Sequence, residues 1–231
     1  MSNTTAPGIH HLIHSEPGDG HANEDLVIVR PHPGDASLLL CCLADGQGGQ
    51  AGGAVAARVA VEEGLRAAAS FPAPELCAEA PWYAIVGAAD EAVCEDDAAG
   101  YCSLVSLCVS VRGIYGASCG DSGALLLTGG QDILLTDGQR KNPPVGSSGA
   151  RPTAFSARPA PGWVLLVVSD GVWKYVGWES ITQIAARHQG QALIDALRRA
   201  AREAGRGKLQ DDFSVALLHD ETTRTRQNGP Q

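Results

Sequence analysis

Short acidic motifs recur where apolar runs begin or end. Asp25 opens an apolar run inside Asn23-Glu24-Asp25. Asp45 follows Ser37–Leu43 and precedes Gly46. Asp121 lies in Gly120-Asp121-Ser122, Asp170 follows Val164–Ser169, and Asp211 and Asp212 precede Phe213–His219. An aspartate at the end of a buried strand is short and poorly hydrated, so several that converge repel one another unless cations neutralise them. Hard divalent cations take oxygen ligands of this kind. Two such ions roughly 3.5–4 Å apart activate a water and clamp a phosphoryl oxygen. The chemistry predicted is metal-assisted hydrolysis, provided the strand ends meet in space. A single Asp-Gly is more simply a turn or cap; the repetition of the motif at strand ends weakens that simpler reading.

The secondary structure that would carry these residues is read from the apolar pattern. Strands are predicted at Ile9–His14, Leu26–Arg30 and Ser37–Leu43. Helical spacing runs from about Gln50 to Ala69, and from about Pro74 to Glu95. A β-rich block comes next, with Cys102–Arg112, Ile114–Ser118, Ala124–Thr128 and Ile133–Thr136 reading as an antiparallel meander. Gly138 to Arg151 is a Gly-, Pro- and Ser-rich loop. Trp163–Ser169 is a strand, Trp178–Arg187 and Gln191–Ala204 are helices, and Phe213–His219 is the last strand. Runs of strands and runs of helices, rather than strict alternation, indicate α+β. Two sheets packed face to face with helices outside accommodate the pattern.

The length of 231 residues with 44% hydrophobic residues suits one domain with a sizeable core. Residues 9–219 form that domain, between polar, aperiodic ends at 1–8 and 220–231 that are expected to be disordered. The net charge of -9 argues against nucleic acid and against anionic membrane surfaces as partners. Seven cysteines, an odd number without a Cys-x-x-Cys, read as buried free thiols in a reducing compartment. No signal peptide or membrane span is evident, which places the chain in the cytoplasm.

In order along the chain, the motifs resemble those of the metal-dependent protein phosphatases of type 2C, the PPM family. Asn23-Glu24-Asp25 resembles the first acidic motif. Ala44-Asp45-Gly46-Gln47-Gly48-Gly49 resembles Asp-Gly-x-Gly-Gly. Gly120-Asp121-Ser122 resembles the Gly-Asp-Ser turn, Ser169-Asp170-Gly171-Val172-Trp173 the Ser-Asp-Gly motif, and Asp211-Asp212-Phe213-Ser214-Val215 the closing motif. The resemblance implies a four-layer α-β-β-α sandwich, two antiparallel sheets flanked by helices, with a centre of two Mn²⁺ or Mg²⁺ ions. It implies that Asp45 bridges both ions, that the Gly46 carbonyl ligates the second, and that Asp170 and Asp211 complete the first. Asp121 would serve a third, weaker ion, and Glu24 and Asp25 would lie at or behind the second. By register the closing ligand is Asp211, with Asp212 as the alternative. The implied reaction is in-line attack of a metal-bridged hydroxide on phosphoserine or phosphothreonine, without a phosphoenzyme. The implied partner is a phosphorylated protein, the target of a cognate kinase, met by a monomer.

The chain departs from the family pattern in places. Gln47 stands where many eukaryotic members have a histidine, and Asp19-Gly20-His21 where many have a phosphate-gripping arginine; His21 is the candidate substitute. Gly123 stands where an arginine usually comes after the Gly-Asp-Ser turn. The short stretch between Asp121 and Asp170 leaves little room for a flap subdomain, so an open cleft and a minimal bacterial-type domain are expected. His10, His11 and His14 lack the neighbours a zinc site needs. Gly48-Gly49 and Gly52-Gly53 are not followed by Gly-Lys-Ser/Thr, so they are not a phosphate loop; close packing of the next helix explains them better. Trp163, Trp173 and Trp178 are expected in the core. Two functions remain: an active phosphoprotein phosphatase, or a pseudophosphatase that binds a phosphoprotein without turnover.

Overall fold

Along β3 (Asp35–Gly46) side chains alternate between two buried faces. Leu39, Cys41 and Leu43 enter one apolar cluster, while Leu38, Leu40, Cys42 and Ala44 enter another. Burial on both faces explains why Ser37–Leu43 reads as an unbroken apolar run rather than an alternating one. The same division recurs in β9 (Val164–Val168), where Leu165 and Val167 share the cluster of Leu39 and Leu43. Leu166 and Val168 join a third cluster.

The computed structural model describes residues 8–47 and 52–221. Expectations for residues 1–7 and 222–231, and for Gly48-Gly49, lie outside the described residues. One sheet has the order β1 (Ile9–Glu16), β10 (Phe213–Asp220), β9, β6 (Gly123–Leu127), β7 (Ile133–Leu134). The other has the order β2 (Asp25–His32), β3, β4 (Cys102–Ser110), β5 (Gly113–Cys119), β8 (Thr153–Ala157). Every neighbouring pair is antiparallel.

Three apolar clusters separate four layers. The central one lies between the sheets. The second joins β3 and β4 to α1 (Gly53–Ser70) and α2 (Ala80–Glu95). The third joins β9 and β10 to α3 (Asp170–Val176), α4 (Trp178–Ala185) and α5 (Gly190–Ala204). The predicted α-β-β-α sandwich is therefore the observed architecture. Trp82 of α2 is fully buried, and its indole N–H donates to the Leu76 carbonyl at 3.1 Å, so the largest side chain of that layer leaves no polar atom unpaired.

Several expectations need correction. The block from Cys102 to Thr136 is not one meander. β4 and β5 form a hairpin in one sheet, β6 and β7 a hairpin in the other. The crossing occurs at Gly120, whose φ of +111° turns the chain where Ser103 leaves no space for a Cβ. The helix expected from Pro74 is broken into a single 3-10 turn, Glu75–Cys77, and then α2, because Ala78 is extended. β8 escaped prediction because it is a short edge strand bounded by Pro152 and Pro159. α3 escaped it because Asp170-Gly171 reads as a turn, whereas Asp170 instead opens a helix. At the chain ends, β10 reaches Asp220, and the Glu221 N–H donates to the Gly8 carbonyl at 3.1 Å. All seven cysteines are free; Cys94 is exposed, Cys77 half-buried and the rest buried. Among the described residues no helix is long and apolar enough to cross a membrane.

Candidate metal centre

Strand register brings the first two acidic motifs together. Asp25 and Asp45 are Cα partners across β2 and β3. Val27 and Val29, and Leu39 to Leu43 at odd positions, face the inter-sheet cluster. By the same period of two, Asp25 and Asp45 point into the seam between the sheets at its open end. The tight approach there requires Gly46, since a Cβ at this position would strike the backbone of Gly53 and of Glu24. The Gly46 N–H donates to the Glu24 carbonyl at 3.1 Å.

The other sheet supplies the remaining motifs. Asp170 comes after β9 at the first turn of α3, and Asp211 precedes β10. Asp121 sits in the turn between β5 and β6, where its carbonyl accepts the Trp173 indole N–H at 2.8 Å. Trp173 stacks on Trp178 with ring centroids 5.5 Å apart, tying that turn to α3 and α4. One cleft of about 250 Å³ is lined by Asp45, Gly46, Gln47, Asp121, Asp170 and Asp211. Five of the residues nominated from sequence line this cleft.

Three nominated residues do not line it. Asp25 lies behind Asp45, buried, with neither carboxylate oxygen hydrogen-bonded. Glu24 turns its carboxylate toward Gly53, at the start of α1. The His21 ring lies against Gly18, with Nδ1 3.4 Å from Asp212 Oδ1. Hydrogen bonding distinguishes the two closing aspartates. Asp212 is buried and accepts the Gly18 N–H at 2.8 Å and the Glu24 N–H at 2.6 Å, so it holds the chain that leads into β2. Asp211 is the one that reaches the cleft.

The electrostatics are those of crowded carboxylates. Burial pushes the Asp45 pKa up to about 10, and Asp25, Asp170, Asp211 and Asp121 add to the shift by repulsion. Burial pushes Asp25 up to about 7. Asp211 is raised by burial and by Asp170. The compensating charges come from lysines that the acidic motifs did not point to. Lys174 is hydrogen-bonded to Asp170 and lies 3.4 Å from Asp121, and Lys141 lies 2.6 Å from Asp121. Lys174 stands four residues after Asp170, a spacing that pairs them only on a helix, and α3 was not predicted. Lys141 had no legible signal, because its loop has no periodicity.

That loop, between β7 and β8, forms a wall of the cleft through Lys141, Asn142 and Pro144. It is pinned from beneath by buried Asp90 of α2, which accepts the N–H groups of Gly146, Ser147 and Ala150 at 2.6, 3.1 and 3.2 Å. The cleft expected to be open therefore has one ordered side.

A family model described as Stage II sporulation protein E (SpoIIE) matches residues 39–219, most of the chain. The chain belongs to the SpoIIE family. The match includes Asp45, Asp121, Asp170 and Asp211, while Glu24 and Asp25 precede it. No match was found among curated proteins. The solved serine/threonine phosphatase of S. agalactiae superposes with a TM-score of 0.76 at 18% identity, covering 92% of this chain and all of that one (100%). The Mycobacterium tuberculosis serine/threonine phosphatase PstP gives 0.75 at 22%, covering 93% and 99%. RsbX, solved in complex with magnesium, gives 0.70 at 13%, covering 93% and 96%. At these identities the likeness is one of fold: the SpoIIE-family chain has the sandwich of the type 2C phosphatases.

The acidic residues of the cleft fit hard divalent cations by their donor chemistry. Asp45, Asp121, Asp170, Asp211 and the Gly46 carbonyl offer oxygen, and a cation nearby would relieve the two unpaired oxygens of Asp25. Among the described residues no three His, Cys, Asp or Glu side chains are gathered tightly around a single point. Asp170, engaged by Lys174, would exchange that ammonium for a metal ion.

Proposed function

We propose that this chain is a metal-dependent phosphatase of phosphoserine and phosphothreonine in proteins, using Mn²⁺ or Mg²⁺. The observation that carries the reading is the convergence of Asp45, Asp121, Asp170 and Asp211 from both sheets on one cleft. Two divalent cations there would lower the pKa of a water and neutralise phosphoryl oxygens. Asp45, with the Gly46 carbonyl, would hold both ions, and Asp170 and Asp211 one of them. Asp25, buried behind Asp45, would keep its orientation and strengthen it as a ligand. Gln47, at the cleft, offers an amide to hydrogen-bond a phosphoryl oxygen and has no proton to give a leaving group at neutral pH. Catalysis would then rest on positioning and charge neutralisation. The polar, one-sided cleft suits a phosphorylated side chain presented by a protein in the cytoplasm.

A second reading, a pseudophosphatase that binds phosphoprotein without turnover, has one observation in its favour. The Lys174 ammonium already engages Asp170, where the first reading needs an ion. Hydrolysis of an aryl phosphate and of a phosphothreonine peptide with Mn²⁺ separates the two. The phosphatase reading expects turnover that a chelator abolishes and that Asp45→Ala lowers more than about 100-fold. A folded protein that binds phosphopeptide and turns over neither substrate would establish the second.

A further inference from the structure

Lys141 and Lys174 converge on one oxygen. Lys141 Nζ is 2.6 Å and Lys174 Nζ 3.4 Å from Asp121 Oδ2, and Lys174 is also hydrogen-bonded to Asp170 Oδ2. Surface ion pairs of this length are commonplace and weak. These are different because the backbone beneath each member is anchored. Asp121 is fixed through its carbonyl by Trp173, the residue before Lys174. Arg140, the residue before Lys141, accepts the Gly120 N–H through its carbonyl at 2.9 Å, and the Gln139 amide donates to the Ser122 carbonyl at 2.7 Å. Asp90 then holds the far end of the loop by three N–H groups. Both ammonium groups are thus delivered to the Gly-Asp-Ser turn by the same structures that shape it.

Lys141 and Lys174 together balance the charges of Asp121 and Asp170, with both ammonium groups turned toward the same Asp121 oxygen. A divalent cation approaching Asp121 would meet both ammonium groups within a few ångströms, where like charges repel even though solvent weakens the effect. We infer that Lys141 and Lys174 stand in for a metal ion at Asp121, so that this carboxylate belongs to a built-in ion pair. Divalent cations are then confined to the Asp45 half of the cleft. The inference deepens the phosphatase reading, on which it rests for the presence of ions beside Asp45. It assigns the lysines a role as positioning groups that hold the Gly-Asp-Ser turn at constant charge, whatever the metal concentration.

Counting Mn²⁺ bound per chain at saturation, by equilibrium dialysis of the full chain, tests it. The K141A/K174A double variant should bind one more ion than the wild type, and adding Asp121→Asn should return the count to the wild-type number. Asp121→Asn alone should leave the count unchanged. An equal count in wild type and double variant, or loss of an ion on Asp121→Asn alone, would overturn the inference. The Asp121→Asn arm stands by itself should the double variant not fold. Asp45→Ala run alongside keeps the two claims apart. If it fails to lower the count, the phosphatase reading falls, while the difference at Asp121 is still read.

Discussion

Asp25 and Asp45 face each other across β2 and β3 with no hydrogen bond to either Asp25 oxygen. Two buried carboxylates in register are a cost to the metal-free fold. Asp25→Asn removes one charge without changing shape. In chelator at pH 8 it should stabilise the protein by about 2 kcal/mol, of the order expected when a strongly raised pKa is relieved. Urea denaturation measures it, and Mn²⁺ affinity should fall in the same variant. No gain in stability would mean that the cost of burying the Asp25 carboxylate is already offset in the folded chain.

Asp211 lines the cleft, while its neighbour Asp212 accepts two backbone N–H groups. Asp212→Ala strips the buried Gly18 and Glu24 N–H groups of their acceptor and should cost about 1–3 kcal/mol. Asp211→Ala should cost little stability but weaken Mn²⁺ binding. Thermal melting and metal titration of the pair check both halves.

Asp90 is remote in sequence from the loop it holds. Asp90→Ala should cost about 2–3 kcal/mol by orphaning three N–H groups. Amide hydrogen exchange should accelerate at Gly146, Ser147 and Ala150 ahead of the neighbouring strands. Uniform exchange across the domain would argue against a local anchor.

Much of this was legible from the sequence. The strand-end aspartates could be found because buried strands leave continuous apolar runs and the acidic residues interrupt them. Residues that touch the site from irregular backbone were not legible. Lys141 comes from a loop, and Asp90 lies on a helix face whose partner is another loop. α3 was hidden behind Asp170-Gly171, since an Asp-Gly dipeptide can open either a turn or a helix and its tertiary packing decides between them. The sheet switch at Gly120 was missed because alternation reveals a strand but not the sheet it joins.

Glu16 at the end of β1 carries a pH dependence. The hydrogen bond from Arg198 holds its carboxyl below the usual glutamate value of 4.5. A depressed folded pKa adds stability that is present above that value and lost as pH falls through the lowered one. Arg198 is 39% exposed, which limits the pair to about 1 kcal/mol. Arg198→Ala should therefore lag the wild type at pH 7, with the gap closing as pH falls below 4.5. A gap independent of pH would assign the loss to packing of the arginine stem.

Anomalous diffraction at the manganese edge, from crystals grown with Mn²⁺, asks whether carboxylates from both sheets hold metal together. The expected result is two ions in the cleft, Asp45 within about 2 Å of both and Asp170 and Asp211 on one of them. Manganese peaks absent from the cleft, or bound there without Asp45, would contradict the metal centre and the phosphatase reading with it.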